Sequence, residues 1–138
     1  MTEDNLSVQQ LVDLVFGSLT QVRNGDFDSK KSSAIAAAAL EAQIKLADSL
    51  ADAEFSSKNT RNLLELVRAE AATNIRISYK DGKKPTESQL EELVNTDTKT
   101  IDAKNSSALA EKEYKKWQYI NNTLKDAHIF FRNLDKQQ

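Results

Sequence analysis

The sequence of 138 residues has no cysteine, one proline (Pro85), one histidine (His128) and three glycines, at positions 17, 25 and 82. Without cysteine there is no disulfide framework, no thiolate nucleophile and no thiolate metal site. A zinc site would need several nitrogen or sulfur ligands, and His128 alone cannot supply them. The glycines lie too far apart for a phosphate-cradling loop or a dinucleotide fingerprint, and no glycine-lined elbow surrounds any serine. Neither a cofactor nor a metal is expected, and no arrangement of residues points to catalysis. No run approaches the ~18 apolar residues of a membrane-spanning helix, so no membrane partner is expected. No signal-peptide core follows Met1, which makes a cytoplasmic location the expectation.

Scarcity of breakers is also the strongest structural signal. With glycine and proline so rare, and no alternation of apolar and polar residues over a strand length, the chain is expected to be all-α. Long amphipathic helices, as an elongated hairpin or bundle in one domain over 1–138, suit 39% hydrophobic and 29% charged residues. Four helices are expected, within 1–24, 28–80, 86–95 and 98–135. In the first, Leu11, Leu14, Val15 and Leu19 form a stripe widened by Val12 and Phe16, and Asn24-Gly25-Asp26 stops it. Asp28 or Ser29 caps the second. Its buried side is expected to carry Ile35, Ala38, Leu40, Ile44, Ala47 and Leu50 or Ala51, then Leu63, Leu64, Val67, Ala71 and Ile75. The polar stretch at 56–60 leaves two readings open, one long helix or two with a bend between them. Asp81-Gly82-Lys83-Lys84-Pro85 is the clearest turn, and Thr86 with Gln89 reads as a capping box opening the short helix.

In the last helix Trp117, Ile120, Leu124, Ala127, Phe131 and Leu134 recur at spacings of 3, 4, 3, 4 and 3. That is a coiled-coil seam, available either for packing within the chain or for an oligomer. Upstream the same register meets Ala103, Ser106, Ala110 and Glu113, where packing should be looser.

The net charge is only −2, but its distribution is uneven. Residues 1–28 carry five acids and one base, and residues 85–103 repeat that balance. Residues 58–84 carry seven bases and three acids, so an anionic partner should meet the chain there. Within 74–84 the bases Arg76, Lys80, Lys83 and Lys84 surround Tyr79. Cations beside an aromatic face are what sequence-tolerant binding of single-stranded DNA requires. The same residues also read as a solvated helix end whose lysines meet the C-terminal dipole.

The segment Arg76-Ile77-Ser78-Tyr79-Lys80-Asp81-Gly82-Lys83 resembles the loop region of the UvsY-type phage recombination mediators. In that family an arginine, a tyrosine-rich helix end and a Gly-Arg or Gly-Lys turn follow one another at nearly this spacing. The order of parts is similar over roughly 45–135: a long polar helix, the motif, a short acidic helix and an aromatic-rich terminal helix. The resemblance implies a homo-oligomeric ring of helical subunits that binds single-stranded DNA. It also implies help in loading a recombinase past a single-strand-binding protein. By it, Arg76 matches the family's DNA-contacting arginine, while Asn74 stands where the family carries a lysine. Residues 1–40 show no such match. Two other expectations stand beside this one. A helical protein–protein module (assembly factor, regulator or inhibitor) would use the acidic stretches to meet basic partners. A structural accessory of a phage head or tail is the third.

Overall fold

The computed structural model of the protein describes residues 6–79 and 82–137. Among these the chain is all-α, with four helices: α1 (Val8–Asn24), α2 (Ser32–Ser78), α3 (Glu87–Thr96) and α4 (Thr98–Lys136). A single 3-10 turn, Ser29–Lys31, precedes α2. No helix is long and apolar enough to cross a membrane. The chain divides into two compact units. The first comprises Met1–Ala51 with Lys116–Gln138, and the second Asp52–Lys115, so α2 and α4 each contribute to both.

Helix ends follow local chemistry. Ser7 caps α1 through a reciprocal box: its hydroxyl accepts from Gln10 N–H at 3.1 Å, and the Gln10 side chain accepts from Ser7 N–H at 2.8 Å. At the other end Gly25 takes φ 78°, and Asp26 N–H closes back on the Gln21 carbonyl at 2.8 Å. A side chain at Gly25 would meet the left-handed steric penalty. Asp28 accepts from Lys30 N–H at 3.1 Å ahead of the 3-10 turn. Asp97 accepts from both the backbone N–H and the hydroxyl of Thr100 at 3.1 Å, opening α4.

The 47 residues of α2 run unbroken through 56–60, which decides between the one-helix and two-helix readings. The polar residues there do not compete with the helix. Thr60 donates its hydroxyl to the Ser56 carbonyl at 2.8 Å, the back-bond by which a threonine is accommodated mid-helix, and Ser57 is buried.

The first unit holds the main core. Leu11, Val12 and Val15 of α1 join Ile35, Ala36, Ala38, Ala39, Ala42 and Leu46 of α2, and Leu124, Ala127 and Phe131 of α4. Trp117, Ile120 and Leu134 pack against this cluster partly buried, so the whole seam of α4 is used inside the chain. Four alanines on the buried side of α2 allow close helix approach and leave room for Phe131. That ring meets Phe27 at 5.0 Å and Phe130 at 5.1 Å between centroids. His128 adds a polar tie. Its Nδ1 lies 2.9 Å from the Ala36 carbonyl, and since a carbonyl only accepts, Nδ1 carries the hydrogen. At the N-terminal end, Lys45 of α2 donates to the Leu6 carbonyl at 2.8 Å while pairing with Glu41 at 3.0 Å.

The buried side of α2 differs from the expectation. Ile35 and Ala38 are buried, but Leu40 and Ile44 are exposed, Ile44 by 69%, and Ala39, Ala42, Leu46 and Ala53 are buried instead. Two apolar stripes run along this helix, and its neighbours in the core take the one with the smaller side chains. Leu14 of α1 is likewise exposed, its place on the inner side taken by Ser18, whose hydroxyl donates to the Leu14 carbonyl at 2.8 Å. Leu63 is exposed as well.

The second unit has a thin apolar core: Ala71 of α2 with Leu90 and Val94 of α3, flanked by Ala72 and Ile75. Thr100, held on Asp97, is buried nearby in the sequence of elements. On the outer side of α2 in this unit Phe55, Leu66 and Ile77 are 70%, 63% and 70% exposed. They stand 11 residues apart, three helical turns each, and therefore on one face.

Truncating a fully buried seam residue removes its transfer free energy and leaves a cavity. Leu124→Ala and Phe131→Ala should each cost about 2–5 kcal/mol in chemical denaturation. Leu66→Ala, on the exposed face, should stay within roughly 0.5 kcal/mol. Equal costs at Leu66 and Leu124 would place the core elsewhere.

Candidate nucleic-acid interface

The basic turn between α2 and α3 lies in the second unit. α2 ends as the Ser78 hydroxyl folds back onto the Ile75 carbonyl at 2.7 Å, and Gly82 turns the chain at φ 78°. Pro85 keeps Lys84 out of the helical region, so Lys83 to Thr86 run without helix before α3 begins. Thr86 then opens α3 with a capping box. Its hydroxyl accepts from Gln89 N–H at 3.2 Å, and the Gln89 side chain accepts from Thr86 N–H at 3.0 Å. This box fixes where α3 starts. Leu90 and Val94, four residues apart, go inward onto Ala71, leaving Gln89, Glu92 and Leu93 on the side toward the turn.

The result is an open cleft of about 520 Å³ lined by Tyr79, Lys83, Lys84, Pro85, Gln89, Glu92 and Leu93. Tyr79 is 41% exposed, and both lysines are exposed. Three of the residues singled out by sequence, Tyr79, Lys83 and Lys84, thus come together around one concave surface. Lys80, the fourth, lies outside the described residues. Arg76 is not part of the cleft. Its Nη2 lies 3.9 Å from Glu87 Oε1, with both side chains largely exposed, a long surface pair of little energetic weight.

The sequence did not mark Gln89, Glu92 and Leu93 as site residues. Their spacing of i, i+3 and i+4 on a short helix directly after the turn was the available signal, but only the packing of Leu90 and Val94 onto Ala71 says which face α3 presents. Their chemistry suits a ligand with both polar and flat apolar parts. Leu93 and Pro85 offer apolar floor beside the Tyr79 ring, and Gln89 keeps amide N–H donors beyond its cap. Two lysines against one glutamate leave the cleft net cationic.

Elsewhere Glu54, hydrogen-bonded to Lys58 at 2.9 Å, raises that amine's pKa above its usual value. Among the described residues, no three acidic or histidine side chains are gathered as a metal site would need. His128 sits in the first unit on the Ala36 carbonyl.

No family model, curated protein or solved structure matches this chain.

The cleft depends on where α3 starts, and so on its cap. Thr86→Ala should cost on the order of 1 kcal/mol and speed amide exchange over 87–94, with little change over 120–131. Unchanged exchange in α3 would show that the box does not hold it.

Proposed function

We propose that the chain is a non-catalytic accessory protein that binds single-stranded DNA, acting as a homo-oligomer in the recombination of a phage or mobile element. The observation that carries this reading is the gathering of Tyr79, Lys83 and Lys84 around one open cleft at the end of α2. An exposed ring can stack an unpaired base whatever its identity, and flanking ammonium groups can neutralise the phosphates on either side. A duplex, whose bases are already stacked, gains nothing from the ring. One such cleft per chain binds weakly, and several identical clefts in an assembly bind tightly by avidity. The recombination role, with a recombinase or a single-strand-binding protein as protein partner, goes with the resemblance of residues 76–83 to the mediator loop.

Anisotropy titration of a labelled single strand of ~30 nucleotides tests this. Tyr79→Ala should weaken binding roughly tenfold, since stacking one base contributes about 1–3 kcal/mol. Replacing Lys83 and Lys84 by Gln should flatten the dependence of log affinity on log salt by about 1.4, at ~0.7 for each single-strand phosphate no longer neutralised. Arg76→Ala should matter less than either. Affinity unchanged in all three variants, or no binding at low salt, would sink the reading.

A second reading, a helical protein–protein module without nucleic-acid affinity, is favoured by the exposed row Phe55, Leu66 and Ile77 on α2. With the α4 seam already packed in the first unit, this row is a surface on which self-association or a partner could act. Sedimentation velocity of Leu66→Ser and Ile77→Ser should show a smaller species than the parent chain if the row joins subunits. An unchanged sedimentation coefficient would clear it of that role.

A further inference from the structure

A second concave surface, in the first unit, has the same two ingredients as the turn. α1 and α4 flank an open cleft of about 350 Å³ lined by Phe16, Leu19, Thr20, Arg23, Tyr119 and Thr123. Tyr119 is 63% exposed, an unusual position for an aromatic ring on a helix whose seam residues pack into the core. Phe16 meets it edge-on, with 6.5 Å between centroids and 72° between planes. That contact restrains the tyrosine ring before any ligand arrives, so less side-chain entropy is lost on stacking.

One cation, Arg23, stands on the α1 wall, and a second, Lys116, lies outside the lining, one helical turn before Tyr119 on α4. Arg23 occupies the last turn of α1, where none of the ion pairs among the described residues involves it. On α4, Lys116 and Thr123 lie three residues before and four after Tyr119, so all three share a face. Lys116 is exposed, with its Nζ 5.6 Å from the centroid of the Trp117 ring. The lining contains no carboxylate, whereas the cleft at the α2–α3 turn has Glu92. Thr20, also in the lining, donates its hydroxyl to the Phe16 carbonyl at 3.1 Å.

We propose that this α1–α4 cleft is a second contact for single-stranded nucleic acid, with a base stacked on Tyr119 and the adjoining phosphates met by Arg23 and Lys116. The inference rests on the single-strand reading of the chain and extends it to a different unit. A flat aromatic face and a guanidinium in a lining without a carboxylate, with an ammonium one turn along α4, match a strand whose bases are free, and they match neither a cationic partner nor a duplex.

The test uses the full chain and a thymidine 30-mer carrying 5-iododeoxyuridine, read by anisotropy and by mass-spectrometric mapping of photo-crosslinks. Tyr119→Ala should weaken binding roughly tenfold, and Tyr119→Phe, which keeps the ring, should bind within about twofold of the parent. Arg23→Gln should lower the salt slope by about 0.7. Crosslinks should map to Tyr119 in the parent chain. Both substituted side chains are exposed, and circular dichroism verifies that helicity is retained.

Parent affinity in Tyr119→Ala and Arg23→Gln, with crosslinks confined to the 79–93 region, would overturn this second site and leave the first standing. Absence of binding by the parent chain would overturn both together. Loss of self-association in Tyr119→Ala with DNA affinity intact would assign the cleft to a protein and overturn the proposal.

Discussion

In the first unit everything is arranged about the seam of α4. Leu124, Ala127 and Phe131 have no exposed surface, and the residues that surround them come from α1 and from the N-terminal part of α2. Burial of side chains as large as leucine or phenylalanine contributes about 1.5–3 kcal/mol each. It can do so only because α2 turns alanines toward α4. Larger residues at Ala38, Ala39 or Ala42 would push the helices apart and break the fit around Phe131. The helix caps serve the same end. The Ser7 box and the Gly25 closure set where α1 starts and stops, and thereby bring Leu11, Val12 and Val15 onto the seam.

Having its seam satisfied internally changes how the chain can meet others. A 3-4 repeat of apolar residues is ordinarily read as an oligomer interface, yet here it is core. The apolar groups left over lie on the solvent side of α2 and at the edges of α1 and α4. Their exposure follows from building two units out of helices that have more apolar surface than one core can take up.

The second unit is organised differently. A cluster of three buried apolar residues cannot hold three helix segments by area alone, so caps and turn geometry do much of the positioning. The Thr86 box, Asp97 on Thr100, the left-handed Gly82 and Pro85 each restrict a short stretch of backbone. A region so constructed opens more readily than a dense core, and surfaces that bind ligands are often drawn from such regions. The cleft with Tyr79, Lys83 and Lys84 sits there. Both clefts combine an exposed tyrosine with cations, on a chain whose net charge is slightly negative. The functional reading therefore depends on local charge and exposed rings, and total charge has little bearing on it.

Local rules were enough for much of this. Two capping boxes, the Asn24-Gly25 stop, the Gly82–Pro85 turn and the lack of other breakers determined four helices close to their observed bounds, because each rule involves residues within four positions of one another. The seam on α4 was legible for the same reason, as was the grouping of Tyr79 with the turn lysines. Tertiary structure alone decided which apolar stripe of α2 is buried. Leu40 and Ile44 are more hydrophobic than Ala39 and Ala42, yet the alanine side faces inward, since the criterion is how closely a neighbouring helix can approach. It also left Arg76 out of the lining of the cleft that Tyr79, past the helix end, helps to form. The pairing of Phe16 and Arg23 with Tyr119 was out of reach of any pattern. The two walls of that cleft come from the first and last helices, and only packing of α1 against α4 brings them together.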